Sequence, residues 1–186
     1  MMYRVIDNFL DEEYFNSLCD IFLKDGDYRP EDPHMPWLFD TSISDDPNDN
    51  LFYMWHVLYE QHSPKSQYFN SLLPLLDILG VRCPIQIKAN FYPNTHTIHE
   101  HKPHVDYTYP NSGALLSFNT CDGYTKLKDG TKIQSVANRM LFHDPIQPHS
   151  SSTTTNTAAR INMNINFIPQ NFHLKDDMMV NENWNV

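Results

Sequence analysis

Basic residues and glycine are both scarce in this chain of 186 residues. There are 13 lysines and arginines against 23 aspartates and glutamates, which gives a formal net charge of -10 at neutral pH. A protein that binds nucleic-acid phosphates or an anionic membrane surface needs a basic excess, so both classes of partner are disfavoured. With only 5 glycines, most turns must be formed by Asn, Asp and the 13 prolines.

Cysteine is also rare, and the sequence has no long apolar run. Cys19, Cys83 and Cys121 are odd in number and far apart, which favours reduced thiols over a disulfide framework. No apolar segment approaches the roughly 20 residues of a membrane span. Residues 1–7 lack the apolar core of a secretory signal. We therefore expect a cytoplasmic protein that does not enter a membrane.

The hydrophobic period changes near residue 82. Before that point, apolar residues at helical spacing predict helices over 12–24, 51–62 and 68–79, with short strands at 3–6 and 37–39. Asp11 is the expected N-cap of the first helix, and Gly80 is expected to end the third. After it, alternation predicts long strands at 85–92 and 160–167 and shorter ones at 113–119, 124–128, 131–136 and 138–143. Asp129-Gly130 predicts a hairpin turn.

This order of elements predicts an α+β, mainly β, single domain. The expected parts are a helical N-terminal part at about 1–81, an antiparallel β-barrel core at about 82–168 and a peripheral tail at 169–186. In both long strands one side is apolar and the other is polar. The polar side either faces water or lines a polar cavity inside the barrel, and the pattern alone favours neither.

The first candidate metal ligands are His104 and Asp106. Residues i and i+2 of an extended strand point to the same side, so this pair can present an imidazole nitrogen and a carboxylate oxygen to one ion. Two histidines and one carboxylate on one face of an octahedron are typical of non-haem Fe(II) oxygenases. The spacing is short enough to arise by chance, and the alternative is a solvated loop.

A downstream histidine and an arginine strengthen the pattern. His149 follows a predicted strand and two prolines, and Arg160 begins the alternating strand 160–167. A guanidinium in this place is either a surface residue or a two-pronged clamp on a dicarboxylate, which suits arginine better than lysine.

His104-x-Asp106, followed by His149 and Arg160, resembles the 2-oxoglutarate/Fe(II)-dependent dioxygenase superfamily, in particular its prolyl-4-hydroxylase-like branch with small phage and bacterial members. The likeness covers most of residues 1–168. Further segments similar to the family are 6–13, 87–93, 122–125 and 138–142. Asp122-Gly123-Tyr124 departs from the Gly-Gly-Glu that the family often has, and the histidine-rich stretch 92–104 is longer than its usual link.

The resemblance implies a double-stranded β-helix, a jelly-roll or cupin-like barrel with the N-terminal helices packed outside. It implies iron held by His104, Asp106 and His149. It also implies 2-oxoglutarate held by Arg160, with Tyr92, Asn90 and Asn162 as further contacts. Such an enzyme uses O2 to hydroxylate a substrate and releases succinate and CO2, with ascorbate as an optional supporting reductant. The substrate is open: a prolyl residue of a protein, a free amino acid or another small molecule.

Two other functions remain open at this point. A cupin-like metal enzyme would use His99 and His101 and would not need 2-oxoglutarate, so Arg160 argues against it. A barrel without catalytic activity is the other alternative, and three intact candidate ligands argue against that. The sequence gives no role to His96 or His143, and an exposed polar loop is the simplest reading of residues 96–101.

Overall fold

The computed structural model describes residues 3–23, 35–43 and 51–170. Along these ranges the elements are β1 (Tyr3–Ile6), α1 (Glu12–Phe22), β2 (Leu38–Asp40), β3 (Tyr53–Glu60), β4 (Ser63–Pro64), a 3-10 helix (Gln67–Leu72), α2 (Leu73–Ile78), β5 (Val81–Pro93), β6 (Ser112–Ser117), β7 (Tyr124–Leu127), β8 (Lys132–Gln134), β9 (Arg139–His143), β10 (His149–Ser151) and β11 (Ala159–Pro169). Neither α-helix in these ranges has the length and apolar character needed to cross a membrane.

The strands form two antiparallel sheets. The larger has the order β1-β9-β6-β11-β5-β3-β2, with β4 paired to β3, and the smaller has the order β10-β7-β8. Two isolated bridges, Glu100↔Ser152 and His104↔His149, place the segment after β5 along the free edge of β10. The fold is therefore the double-stranded β-helix that the resemblance implies.

The helices pack on the outer face of the larger sheet, as expected. Ile87 of β5 and Ile165 of β11 are fully buried in one cluster with Leu18 of α1 and Leu75 of α2. Burying side chains of this size contributes about 1.5–3 kcal/mol each, so this layer supplies much of the stability. The apolar sides of the two long strands are thus covered by the helices.

The polar side of the same two strands faces the inside of the barrel. Arg160 is 1% exposed, Asn162 and Asn166 are 0% exposed and Asn90 is 4% exposed. Polar groups buried to this degree need hydrogen-bond partners or a ligand. The polar side therefore does not face water, and of the two interpretations that the pattern left open the structure supports the barrel interior.

The first α-helix begins where the sequence indicates. The Asp11 carboxylate accepts a hydrogen bond from the Tyr14 amide at 2.8 Å and caps α1. The helix ends at Phe22, and the predicted end at residue 24 lies outside the described residues. The helix predicted over 68–79 is divided into the 3-10 helix and α2, because Pro74 belongs in the first turn of a helix. Gly80 follows with a φ of +60°, which favours glycine.

The predicted helix over 51–62 is wrong, because this segment contains β3. Both sides of β3 are covered: Leu58 is buried in the core, and Tyr53 stacks on Tyr92 with ring centroids 6.0 Å apart. Since apolar residues are needed on both sides, they do not alternate, and their spacing imitates a helix. A bulge between Val57 and Tyr59 further disturbs the period. The N-terminal part therefore adds strands to the larger sheet as well as helices.

The predicted strands agree with the observed ones to within a few residues at their ends, whereas β4 and β10 were not predicted. The Asp129-Gly130 turn joins β7 to β8, and Gly130 has a φ of +86°. The predicted strand 85–92 extends to the whole of β5, and 160–167 extends to β11. Of the predicted peripheral tail, residues 171–186 lie outside the described residues.

Candidate metal centre

His104 and His149 face each other across two neighbouring chain segments. The amide of each donates to the carbonyl of the other, at 2.9 Å and 3.0 Å. Directly opposed residues of an antiparallel pair place their side chains on the same face. Their imidazole rings accordingly lie with centroids 4.7 Å apart.

Asp106 completes a group of three candidate ligands. Its Oδ1 atom lies 3.6 Å from His104 Nε2 and 3.5 Å from His149 Nε2, and the three ligand atoms all lie within 4.8 Å of one another. Neighbouring ligands on one ion, with bonds of about 2.1 Å, lie about 3 Å apart, so a small contraction would accommodate a metal. Among the described residues, this is the only such group of three or more His, Cys, Asp or Glu side chains.

The second carboxylate oxygen of Asp106 is held by the larger sheet. Oδ2 accepts hydrogen bonds from the side-chain amides of Asn164 and Asn166, each at 3.0 Å. Burial alone would raise the pKa of Asp106, but His149 and the Asn166 amide hold it well below its ordinary value. The carboxylate is therefore charged, and its Oδ1 atom is aimed at the two histidines.

The ring of His149 is oriented by its own turn. Its Nδ1 lies 3.1 Å from the Gln147 carbonyl, which can only accept, so Nδ1 carries the proton. Nε2, which lies 3.5 Å from Asp106 Oδ1, is therefore the nitrogen that would bind a metal, the arrangement that metal-binding histidines commonly have. Burial lowers the pKa of His149, but Asp106 raises it by more. For His104 the effect of burial wins, and its pKa is lowered.

A further histidine packs against the group. His143 is 3% exposed, and its ring lies edge-on to His149 with centroids 4.8 Å apart. Burial lowers the pKa of His143 to about 4, so the ring is neutral at ordinary pH. Gly113 makes room for it, since a Cβ there would come within 3.0 Å of the His143 ring. A pocket of about 480 Å³ opens beside His143 and His149.

Arg160 is buried on the polar face of β11 without a carboxylate partner. Its Nη1 donates to the Ser152 carbonyl at 3.2 Å and its Nη2 to Thr125 Oγ1 at 2.8 Å. Its Nε has no hydrogen-bond partner, and no described carboxylate lies within ion-pair distance. Burial lowers the pKa of Arg160, but a guanidinium this basic remains charged. A buried, unpaired cation is costly unless an anion completes it.

The three other predicted contacts lie beside Arg160. Tyr92 is its cross-strand partner, and the guanidinium carbon lies 5.3 Å from the centre of the Tyr92 ring. Burial raises the pKa of Tyr92, so its phenol stays protonated. Asn90 donates to Asn162 Oδ1 at 3.1 Å, and Asn162 Nδ2 has no partner among the described residues. Their contact with a cosubstrate remains a prediction.

The surroundings of Gly123 require the middle glycine of the Asp122-Gly123-Tyr124 segment. A Cβ on Gly123 would lie 2.7 Å from Arg160 Cδ and 2.6 Å from the Thr153 carbonyl. Only glycine at position 123 therefore leaves room for the Arg160 side chain. The Asp122 carboxylate accepts from the Thr154 hydroxyl at 2.7 Å and the Thr155 amide at 2.8 Å, and so anchors the loop between β10 and β11.

The histidines at 96, 99 and 101 do not gather into a metal site within the described part of the chain. The rings of His99 and His101 lie with centroids 5.1 Å apart, and His101 packs 5.9 Å from the Tyr92 ring. His96 and His99 are exposed as expected, whereas the prediction of an exposed loop is wrong for His101, which is 1% exposed. The geometry gives no support to a cupin-like site at His99 and His101.

Several residues of the site were not identified from the sequence. Asn164 and Asn166 were noted only as part of a polar stripe, although they hold Asp106. Thr125 and Ser152, which bind Arg160, carried no signal at all. The period-2 pattern combined with the β5–β11 register would have placed both asparagines on the face of Arg160.

No family model matches this sequence, and no curated protein matches it significantly. Solved structures do resemble its fold. A 2OG-Fe(II) oxygenase family oxidoreductase from Burkholderia pseudomallei aligns with a TM-score of 0.67 at 10% identity, over 89% of this chain and 84% of that one. A Pseudomonas putida prolyl-4-hydroxylase aligns with a TM-score of 0.54 at 11% identity, over 89% and 92%.

A third similar structure is HygX from Streptomyces hygroscopicus, solved with nickel and 2-oxoglutarate bound. It aligns with a TM-score of 0.53 at 10% identity, over 91% of this chain and 84% of that one. At such low identities these likenesses establish the double-stranded β-helix. What the protein does must be argued from its own side chains.

Proposed function

We propose that this protein is an Fe(II)- and 2-oxoglutarate-dependent dioxygenase, which hydroxylates a substrate and releases succinate and CO2. The observation that carries the proposal is the pairing of two features inside one barrel. One is a His-Asp-His group with converging ligand atoms. The other is Arg160, a buried cation with no described carboxylate partner, on the strand that also orients Asp106.

The donor set fits iron. Two imidazole nitrogens and one carboxylate oxygen would hold Fe(II) on one face and leave three positions for a cosubstrate and O2. Asn164 and Asn166 occupy Asp106 Oδ2, so Asp106 would bind through Oδ1 alone. The nickel of HygX supports a metal in this fold, and Ni(II) is a suitable inert substitute for experiments.

The surroundings of Arg160 fit the distal carboxylate of 2-oxoglutarate. Arg160 and Asn164 lie on the same face of β11, four residues or about 13 Å apart along an extended strand. The arginine side chain and a short dicarboxylate together span such a gap. Arg160 Nε and Asn162 Nδ2 are buried donors without described partners, and a carboxylate could accept from both.

Bound iron and 2-oxoglutarate supply the oxidising chemistry, in which the two atoms of O2 pass to succinate and to the hydroxylated product. The side chains of this protein hold and orient the reactants. His104, Asp106 and His149 fix the position of the metal, and Arg160 fixes the far end of the cosubstrate. The chamber is the barrel interior lined by the polar faces of β5 and β11. The apolar layer between the larger sheet and the helices excludes water from that side of the chamber.

The test is anaerobic titration of 2-oxoglutarate into the Fe(II)-loaded protein, followed through the metal-to-ligand charge-transfer band, and then succinate release in air. We expect wild type to show the charge-transfer band and Asp106→Ala to lose it. The control variant His96→Ala, which changes an exposed histidine outside the candidate metal group, should keep the band. Metal binding without any response to 2-oxoglutarate would refute the proposal and favour a cupin-like enzyme or an inert barrel.

The substrate is proposed only by class: a small molecule, a free amino acid or a residue of a peptide or protein. The likeness to a prolyl-4-hydroxylase makes prolyl peptides a reasonable first panel. Succinate release measured against this panel and against free amino acids would choose among them.

A further inference from the structure

Lys88 is a second cation on the polar face of the barrel. It lies on β5, directly opposite Asn164 of β11. Opposed residues of an antiparallel pair share a face, so Lys88 points to the same side as Asn164. Since Asn164 donates to Asp106 Oδ2, Lys88 stands at the metal end of the chamber. Arg160 stands at the other end, opposite Tyr92.

Lys88 has no ion pair or hydrogen bond through its ammonium group among the described residues. Its Nζ atom lies over the ring of Tyr53, 5.9 Å from the ring centre. Glu60 accepts a hydrogen bond from the side-chain amide of Gln86, at 2.5 Å, and no carboxylate of the described residues forms an ion pair with Lys88 Nζ. Asp106, Glu60 and Asp40 act on it only from a distance.

The side chain is half-buried, and that placement is unfavourable for a lone ammonium group. Burial lowers the pKa of Lys88, although the distant carboxylates oppose the shift. A partly desolvated cation gains most from an anion that fills the space in front of it. The Asp106 carboxylate cannot be this anion, because Oδ2 already accepts hydrogen bonds from two side-chain amides and Oδ1 is directed to the histidines.

The wall beside Lys88 is apolar. Val57 of β3 pairs with Lys88 on its other side, and Trp55 pairs with Asn90, so both side chains share the chamber face. Tyr53, the third residue of that face of β3, stacks on Tyr92. A ligand at this end of the chamber would meet one positive charge and a surface of apolar and aromatic groups.

We propose that Lys88 binds a carboxylate of the primary substrate, so that the protein selects small carboxylic acids with an apolar body. The proposal rests on the proposed function, since it takes the metal end of the chamber as the place where the substrate lies. The cosubstrate carboxylate is assigned to Arg160, which leaves Lys88 free for a second anion.

The experiment uses the full chain loaded with Ni(II) and saturated with 2-oxoglutarate. The probes are two matched pairs: N-acetyl-L-proline with N-acetyl-L-prolinamide, and N-acetyl-L-leucine with N-acetyl-L-leucinamide. Members of a pair differ only in the charge of the carboxyl group. Binding is measured by titration calorimetry and ligand-observed NMR at constant ionic strength.

We expect wild type to bind the acid of at least one pair ten or more times tighter than its amide. Lys88→Met should reduce that preference to within twofold, and Lys88→Arg should keep part of it. Lys65→Met, which changes an exposed lysine, should behave as wild type. Metal content and 2-oxoglutarate affinity should be the same in all four proteins.

Three results would overturn the proposal. They are equal or undetectable binding of acid and amide to wild type, a preference that persists in Lys88→Met, and a loss of 2-oxoglutarate affinity in Lys88→Met, which would assign the lysine to the cosubstrate. Failure of the proposed function is seen separately, as wild type that does not bind 2-oxoglutarate. In that case the same probes are titrated into protein loaded with Ni(II) alone.

Discussion

Replacing Arg160 tests the part of the site that most clearly separates a 2-oxoglutarate enzyme from other metal barrels. We choose Arg160→Met, because methionine keeps much of the apolar stem that packs over Gly123 while removing the charge. Removing one partner of a buried, charge-assisted pair costs about 2–5 kcal/mol. The affinity for 2-oxoglutarate should therefore fall roughly 30-fold to several thousand-fold.

This loss can be measured without knowing the substrate, through the thermal stability of Ni(II)-loaded protein. At 2-oxoglutarate one hundred times above its Kd, wild type gains about 2.7 kcal/mol. For a chain of this size that is a rise in Tm of roughly 5–11 °C. If the Kd of Arg160→Met is 30-fold higher, the gain at the same concentration is about 0.9 kcal/mol, or roughly 2–3 °C.

Two further variants complete the series. Arg160→Lys should lie between wild type and Arg160→Met, because a point charge keeps the attraction but loses the two-pronged geometry. Arg82→Met changes an exposed arginine and should respond as wild type does. Nickel content should be unchanged throughout, since Arg160 is not a ligand. Equal shifts in Tm for wild type and Arg160→Met would refute the assignment of Arg160 to the cosubstrate.

Two other substitutions test the metal site, and a third tests Asp122, which anchors the loop between β10 and β11. His104→Ala should lose the single Fe(II) measured by elemental analysis, whereas full retention would point to the histidines at 96–101. Asn166→Ala should weaken metal affinity about 10- to 100-fold in a chelator competition, because it removes one of the two amides that hold Asp106 Oδ2. An unchanged affinity would show that the Asn166 amide does not support the ligand. Asp122→Asn should destabilise the protein at neutral pH. Burial raises the pKa of Asp122, but hydrogen bonds from Thr155 and Thr154 outweigh it and lower the pKa to about 2. The stability that the Asp122 carboxylate contributes is therefore complete above the unfolded pKa of 3.8 and is lost as the pH falls from there towards 2. Urea unfolding should show the two proteins converging over that window, and a constant difference would contradict the reasoning.

The metal group is the part of the site that sequence predicts best. His104 and Asp106 are two residues apart, and extended backbone places such side chains on one side whatever the rest of the fold does. The position of His149 opposite His104 is not contained in any local pattern, because it depends on two distant segments meeting at the edge of β10. The resemblance supplied that pairing, and the structure brings the three ligand atoms together.

Other features could not be predicted from the pattern because they depend on what covers each face. The alternation in 160–167 shows that one side of β11 is polar, but only packing against the helices reveals that the other side is the core. In β3 both sides are covered, and the period that would identify a strand disappears. That Lys88 lacks an ion pair among the described residues can be seen only when the positions of the Glu60, Asp106 and Asp40 carboxylates are known.

The four polar residues of β11 explain why one strand is central to the whole site. Side chains on one face repeat about every 6.6–6.8 Å, so Arg160, Asn162, Asn164 and Asn166 form a fixed series of donors. The first is the proposed partner of the cosubstrate carboxylate, and the last two hold the candidate metal ligand Asp106. The pairing of β11 with β5 is regular from Ala159 to Asn166, and its first irregularity comes immediately afterwards. A shift of one residue within that stretch would turn every donor into the apolar core, so the regular register is itself a requirement of the site.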